Sequence, residues 1–417
     1  MSKHTMESTS VAGFEVARPI STETQKQLGH TALEGLTLAV PVESHPLVNI
    51  EQHLKHSIVG QDDAIDSIMH ALNREKFRNP NRPYANLLFL GPTGVGKSET
   101  AKELAAQLHK GENGFLKIDC SLFSHGHEVS ALLGSPPGFV GREQEPLLDP
   151  RIIEQDKSVI MFDEVEKGSQ QLWDLLLQIM DDGEVSLLSG SRKVSFKNSI
   201  IIMTSNLGSH EMTELLSRRN VGFRAAQSEQ ISTTNQEIDT AVNNALRHHF
   251  RPEFINRFDR KVIFKPHDDT QMGEVLDRYV ERANERYKKL GVMLSLSPTL
   301  RDEMVVGNSQ RKQFGVRPIL RDYDHMIESE LATYVNAGSI PLGSEVVALS
   351  PSELPEEQIL SSSVNFYYKI NPELAEIIEI RERQAADARA AAQQQADLQP
   401  DEPEPSKDLV GPMYYGE

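Results

Sequence analysis

Residues 91–98 read GPTGVGKS, and this stretch decides which fold the chain adopts. It fits the pattern G-x-x-x-x-G-K-[ST], follows the apolar run NLLFL and precedes the helix-forming run ETAKELAAQL. In such a loop the glycines let backbone N–H groups curl round a phosphate at the N-terminus of a helix. The stretch therefore predicts a strand, a loop that binds the phosphates of a nucleotide with Mg²⁺, and a helix. The loop consists of Gly91, Pro92, Thr93, Gly94, Val95, Gly96, Lys97 and Ser98.

Short apolar runs alternate with helical stretches from Leu87 to Phe264. They read NLLFL, FLKIDC, SVIMFD, SIIIMTS and KVIF. Apolar runs separated by helices are typical of parallel strands that are covered on both faces. We therefore predict an α/β fold with a parallel sheet flanked by helices, followed by a small, mainly helical C-terminal domain.

Polar residues follow two of these runs. Asp163 and Glu164 end SVIMFDE, and Asn206 follows SIIIMTS. The carboxyl ends of parallel strands face the ligand crevice, so these side chains are predicted to meet the loop. Lys97 would reach the β- and γ-phosphates, Ser98 and Asp163 would hold Mg²⁺, and Glu164 would polarise the attacking water. Asn206 either orients that water or is a turn-forming asparagine.

The composition predicts four segments. We expect a flexible N-terminal arm over 1–45, a large α/β domain over 46–266 and a small domain over 267–350. Residues 351–417 contain 14 acidic and 5 basic residues, a net charge of −9. We expect an acidic tail there, with one helix after Pro372 and no other order.

The totals exclude several functional classes. A net charge of −18 disfavours nucleic acid as a partner. The sequence contains no run of eighteen apolar residues, so no membrane span is predicted. The N-terminus lacks an apolar signal segment, and the single cysteine suits a reducing compartment. A cytoplasmic location is therefore expected.

Eight ordered motifs resemble those of the Clp-type AAA+ protein unfoldases, between about residues 56 and 350. The match is to the second ATPase module of the double-ring members. The motifs are VGQDDA, GPTGVGKSETAKELA, GSPPGFVG, FDEVEK, LLLQIMDDGEV, IIMTSNLGS, FRPEFINRFD and FGVRPIL. The resemblance implies an AAA+ fold, ATP hydrolysis coupled to protein unfolding, and assembly into a ring, expected to be a hexamer.

The resemblance also implies roles for single residues. Ile58 and Val59 match the stretch that contacts adenine. Arg257, in RPEFINR, matches the arginine finger that enters the neighbouring subunit's site. Arg317, in GVRP, matches the second sensor, which touches the γ-phosphate. A guanidinium supplied in trans stabilises charge on the transferred phosphoryl group. The alternative for either arginine is a surface salt bridge.

The loop LLGSPPGFVGREQE, residues 132–145, carries an aromatic where prolines and glycines exclude a helix. Phe139 is either packed beneath the loop or held out for contact. The resemblance implies the second, because Phe139 and Val140 match a pore loop that grips an unfolded or tagged polypeptide. At the position of Phe139 the relatives usually have Tyr, and after GFVG this chain reads REQEP where the family tends to YEEGG.

Val221, Gly222 and Phe223 match a tripeptide that docks on a Clp-type peptidase. The alternative is a turn that packs on its own domain.

Three functions remain open. Threading of polypeptide is favoured over an AAA+ remodeller of nucleic acid or protein that does not thread, because of Phe139 and the acidic charge. A regulatory subunit of a mixed ring would not need Lys97, Glu164 and Arg257. We expect no N-terminal recruiting domain, first ATPase ring or middle insert, and therefore no autonomous disaggregation.

Overall fold

The computed structural model describes residues 18–19, 37–38, 47–74, 77–109, 114–134, 146–188, 192–221, 227–308, 314–361, 363–376, 378 and 383–384. Their contacts divide the chain into two compact units, Met1–Pro266 and His267–Glu417. Among these residues, we find no helix with the length and apolarity that a bilayer crossing requires.

A five-stranded parallel sheet forms the centre of the first unit. Its strands are β3 (Ala85–Leu90), β4 (Phe115–Asp119), β5 (Val159–Asp163), β8 (Ile200–Ser205) and β9 (Arg260–Ile263). Their spatial order is β4-β5-β8-β3-β9. Two short antiparallel pairs stand outside the sheet: β1 (Arg18–Pro19) with β2 (Thr37–Leu38), and β6 (Glu184–Ser186) with β7 (Lys193–Ser195). The predicted parallel α/β fold is confirmed.

Helices cover both faces of this sheet. They are α1 (Val48–Ser57), α2 (Asp62–Leu72), α3 (Lys97–His109), α4 (Ser130–Leu133), α5 (Pro150–Ile153), α6 (Gln170–Asp182), α7 (Ser209–Val221), α8 (Gln227–His249) and α9 (Pro252–Ile255). In β3, Leu88 and Leu90 join one buried cluster while Leu87 and Phe89 join another. Successive side chains of a strand point to opposite faces, so each apolar run supplies two cores at once.

The chain's single cysteine lies in one of these cores. Cys120 follows β4, is 0% exposed and forms no disulfide. Burial raises the pKa of its thiol, because the low-dielectric interior disfavours the thiolate.

The second unit combines helices with a three-stranded sheet. Its helices are α10 (Asp269–Tyr287), α11 (Pro298–Gly307), α12 (Arg317–Tyr323) and α13 (Ser329–Asn336), and its strands are β10 (Val292–Leu296), β11 (Ser344–Leu349) and β12 (Asn365–Ile370). β11 lies between β10, to which it is parallel, and β12, to which it is antiparallel. Tyr323, the largest fully buried side chain, lies in the core of this unit.

The structure corrects the predicted boundary at residue 350. β12 pairs along its full length with β11, and residues 372–376 are helical, so order continues beyond the boundary. The run NFYYKI is rich in residues that favour strands, and without it the outer edge of β11 would leave N–H and C=O groups unpaired. In the predicted arm, the structure describes only the β1–β2 pair; the rest lies outside the described residues, as do those after 384.

Candidate functional site

The loop between β3 and α3 turns on glycines in the left-handed half of backbone space. Gly91, Gly94 and Gly96 have φ values of 146°, 72° and 97°. Side chains would strain the backbone at these angles, so the loop needs glycine for its shape. The turn ends where α3 begins, at Lys97. Ile58, at the end of α1, lies against this loop, because its Cγ2 is 3.4 Å from where a Cβ at Gly96 would stand.

Gly91 has the least space, and this gives a stability prediction. A Cβ there would lie well inside contact distance of the Phe264 carbonyl oxygen. We expect Gly91→Ala to lower the free energy of unfolding by about 1–3 kcal/mol, measured by urea denaturation without nucleotide. Gly96→Ala is the matched control, since its φ is also positive but its Cβ meets only ordinary contact. Equal stabilities of the two variants would contradict this account.

Asn206 joins Lys97 to Glu164. Its Oδ1 accepts a hydrogen bond from Lys97 Nζ at 2.8 Å, and its Nδ2 lies 3.4 Å from Glu164 Oε1. Lys97 also donates to the carbonyl oxygens of Gly91 and Pro92, the latter at 2.8 Å. The ammonium is buried, with 8% of the residue exposed. The structure thus brings together the loop lysine, the carboxylate after β5 and the amide after β8.

Each carboxylate after β5 has a lysine partner. Asp163 Oδ2 lies 2.7 Å from Lys117 Nζ, and its Oδ1 accepts from the Thr204 hydroxyl. Glu164 Oε2 accepts from Lys167 Nζ at 2.5 Å. The hydrogen bond to this carboxylate raises the pKa of Lys167. Both carboxylates are therefore held by basic side chains at the edge of the sheet.

Glu164 adopts a backbone conformation that L-residues avoid. Its φ and ψ are 55° and 51°, in the left-handed region. This conformation costs about 1–2 kcal/mol for a residue with a Cβ. Its backbone N–H donates to Thr204 Oγ1 at 3.0 Å, which ties the strained residue to β8. Strain of this kind, held in place by neighbouring groups, is frequent at functional sites.

Arg257 pairs within its own chain. Its Nε lies 2.6 Å from Asp181 Oδ1, and Arg82 Nη2 binds the same carboxylate at 3.0 Å. The hydrogen bond with Asp181 raises the pKa of Arg257. Arg257 follows α9 and is separated in sequence from the loop around Gly91. The structure describes no contact between Arg257 and the site formed by Lys97, Asn206 and Glu164 among the described residues.

The remaining predicted residues are placed less fully. Ser98 follows Lys97 in the first turn of α3, and Arg317 opens α12 in the second unit. Phe139, Val140, Gly222 and Phe223 lie outside the described residues, as does the side chain of Val221, the last residue of α7. The predictions for them stay predictions.

Three neighbours of the site, and the carboxylate partner of Arg257, were missed from the sequence. Lys167 is three residues after Glu164, a spacing that pairs charges on a helical turn and could have been noticed. Lys117 shares a strand face with Asp119, whose register partner is Asp163. Glu166 Oε1 accepts from the Asn206 N–H at 3.0 Å. Asp181 carries no sequence signal, because its partners are 76 and 99 residues away.

Two family models match consecutive parts of the chain. Residues 82–261 match the AAA domain (Cdc48 subfamily), and residues 268–348 match the C-terminal, D2-small domain of ClpB protein. The two matches follow the order in which the ATPase fold and the small sheet-containing unit occur.

Curated relatives include chaperones from plants and bacteria. Chaperone protein ClpD1, chloroplastic, of Oryza sativa subsp. japonica is 36% identical over 303 residues, which cover 72% of this chain and 32% of the relative. Chaperone protein ClpB of Bacillus anthracis is 36% identical over 307 residues, which cover 73% of this chain and 34% of the relative. The chain spans about a third of the length of these relatives. On both family matches and these identities, the chain belongs to the Clp-type AAA+ proteins.

Proposed function

We propose that the chain is an ATP-hydrolysing, ring-forming protein unfoldase or chaperone. The observation that carries this proposal is the position of Asn206, whose amide contacts both the Lys97 ammonium and the Glu164 carboxylate. A phosphate-binding cation, a water-orienting amide and a general base are what nucleotide hydrolysis requires at one place. The chaperone names of the relatives support the coupling to protein unfolding.

The residues fit a complex of ATP with Mg²⁺. The buried Lys97 ammonium donates to the oxygens of Gly91, Pro92 and Asn206, and the phosphate oxygens of a nucleotide are acceptors of the same kind that carry charge. Asp163 and Ser98 offer the carboxylate and hydroxyl oxygens that Mg²⁺ prefers. When bound, the metal would neutralise charge on the phosphate oxygens. Ile58 and Val59 are proposed to contact the adenine, which agrees with the position of Ile58 beside the loop.

The protein's own groups divide the remaining work. Glu164 accepts a proton from the attacking water, and Asn206 orients that water toward the γ-phosphate. Arg257 acts on the neighbouring subunit's nucleotide, where its guanidinium stabilises charge on the transferred group. Arg317 is proposed to sense the γ-phosphate from the small domain. Hydrolysis then depends on assembly, and a homohexamer is the proposed ring.

The ring is proposed to thread polypeptide through its centre. Phe139 and Val140 would line the channel and grip an unfolded or tagged protein. A flat apolar ring provides contact area without demanding a particular substrate side chain. Val221, Gly222 and Phe223 are proposed to dock on a Clp-type peptidase, as an apolar tip suits a hydrophobic cleft.

The single buried cysteine supports a reducing, cytoplasmic compartment.

Purified protein tests the proposal directly. We expect ATP-dependent assembly by mass photometry, Mg²⁺-dependent release of phosphate, and loss of fluorescence from a tagged, stably folded reporter protein. A chain that stays monomeric with ATP, or that releases no phosphate, would contradict the proposal. Phosphate release without loss of reporter fluorescence would instead favour a remodeller that does not thread.

Phe139→Ala separates gripping from hydrolysis. We expect the rate of reporter unfolding to fall at least about tenfold while ATP turnover stays within about twofold, because an aromatic contact is lost and the nucleotide site is untouched. Phe77→Ala is the matched control, since Phe77 is 88% exposed in the same unit. Undiminished unfolding by Phe139→Ala would exclude the gripping role.

A further inference from the structure

Two ring N–H groups hold the turn that follows Glu164. Trp173 Nε1 donates to the Val165 carbonyl oxygen at 2.9 Å. His249 Nε2 lies 2.9 Å from the Glu166 carbonyl oxygen, so the tautomer with hydrogen on Nε2 donates there. Consecutive carbonyls of one short 3₁₀ turn, Val165–Lys167, are thus bound by rings from α6 and α8.

The two rings also support each other. Their centroids lie 5.5 Å apart at an angle of 65°, and both contact Phe250, at 5.1 Å from Trp173 and 4.8 Å from His249. Edge-to-face contacts at these distances are favourable and restrict ring orientation. The ring nitrogens are therefore held in place, and the carbonyls they bind are held with them.

The held turn connects directly to the hydrolytic site. Glu164 immediately precedes it in a strained left-handed conformation, and the Glu166 carboxylate accepts the N–H of Asn206 at 3.0 Å. Any rotation of the turn would move both the Glu164 carboxylate and the Asn206 amide. Hydrolytic geometry is sensitive to displacements of this kind, since misplacement by about 1 Å can cost about 10²-fold in rate.

Ring contacts continue from the same place toward Arg257. Phe250 contacts Phe254 at 5.1 Å, and Phe254 contacts Phe258 at 5.4 Å. Arg257 lies between the last two in sequence, and its N–H donates to the Phe254 carbonyl at 3.2 Å. The row of rings thus spans the first unit from the Glu164 turn to the Arg257 loop.

We propose that Trp173 and His249 are positioning residues, which form a clamp on residues 165 and 166 that sets Glu164 and Asn206 for hydrolysis. This inference rests on the proposed ATPase function and adds the residues that regulate its geometry. The row of rings makes the Arg257 loop part of the same packed body. The clamp acts through Glu164, so its removal changes turnover more than nucleotide affinity.

Trp173→Phe tests the clamp, because an aromatic ring is kept while the indole N–H donor is lost with its five-membered ring. We expect kcat for ATP hydrolysis to fall about tenfold, as for loss of a group that orients a functional side chain. KM is expected to change by less than about twofold. Tyr84→Phe is the matched control, since it removes a comparable ring-to-carbonyl bond, to Leu72 at 3.0 Å, away from the site. Its kcat should equal that of the wild type.

His249 provides the conservative rescue. His249→Gln keeps an N–H donor and is expected to retain more turnover than His249→Phe, which keeps only the ring. Trp173 is also the chain's single tryptophan, so its emission reports on the clamp without labelling. Addition of Mg²⁺ and ATP to wild type should shift that emission, as the bound nucleotide contacts groups joined to the turn.

The outcomes separate the two proposals. If the wild type hydrolyses ATP and both Trp173→Phe and His249→Phe keep its kcat, the clamp is overturned while the proposed function stands. Equal losses of kcat in Trp173→Phe and the Tyr84→Phe control would also overturn it, since they would show a general effect of lost stability. A wild type without ATP turnover would contradict the proposed function itself.

Discussion

Replacing Glu164 by glutamine is expected to lower kcat for ATP hydrolysis by about 10²-fold or more while ATP remains bound. Glutamine has nearly the same size, so the left-handed backbone and the contact with Asn206 can persist. What is lost is the carboxylate that accepts the proton of water. Bound ATP that is not hydrolysed should also prolong the assembled state, which mass photometry would record as a larger oligomeric fraction.

The control for this variant is another glutamate paired with a basic side chain. Glu154 accepts from Arg192 at 2.8 Å, far in sequence from the nucleotide loop. Glu154→Gln should therefore turn over ATP at the wild-type rate. Unchanged turnover in Glu164→Gln would remove the general-base assignment, whatever its effect on assembly. Proteins that co-purify with Glu164→Gln in ATP would identify the substrates and any peptidase.

Replacing Arg257 by alanine should have the second large effect, a loss of about 10³-fold in ATP turnover. If this guanidinium serves the neighbouring subunit, its removal disables hydrolysis without altering any residue of the site around Lys97. Nucleotide affinity, measured with a fluorescent ATP analogue, should change far less than turnover.

Asp181 supplies a matched control, because it binds two arginines. Arg82 contacts the same carboxylate at 3.0 Å, so Arg82→Ala removes a comparable salt bridge. If Arg257 served only in a surface salt bridge with Asp181, Arg257→Ala and Arg82→Ala would have the same ATP turnover.

A mixture of Arg257→Ala and Glu164→Gln chains tests whether Arg257 acts on the neighbouring subunit. Some interfaces then combine an intact Arg257 with an intact Glu164, and partial recovery of turnover is expected. Absence of recovery would argue against action between subunits.

The sheet could be predicted from the sequence because its three central strands, β5, β8 and β3, are buried on both faces along almost their whole length. Such strands are continuous apolar runs, and each of the five runs became a strand of the central sheet. β12 was missed for the opposite reason. It lies at an edge, and Tyr367, Tyr368 and Ile370 remain exposed. Its six residues are few beside the acidic and polar residues of the segment 351–417, so the overall composition of that segment predicted disorder.

The candidate site was predictable as far as local motifs reach. Lys97, Glu164 and Asn206 each follow or precede a strand in a recognisable pattern, and parallel topology brings those strand ends together. The left-handed angle of Glu164 was not visible, because the group that its backbone N–H contacts, the Thr204 hydroxyl, lies on another strand. The contact made by Trp173 was not visible either. This side chain is only partly buried, and its donor to Val165 depends on how α6 packs.

The burial of Cys120 makes the chain convenient for site-directed chemistry. Thiol reagents need both access and thiolate, and Cys120 has neither, since it is 0% exposed and its pKa is raised. The natural sequence thus serves as its own cysteine-free background. A cysteine introduced beside Phe139 or Arg257 would be the one reactive thiol of the folded chain. Dyes or crosslinkers could then be attached to the proposed channel or subunit boundary without further substitutions.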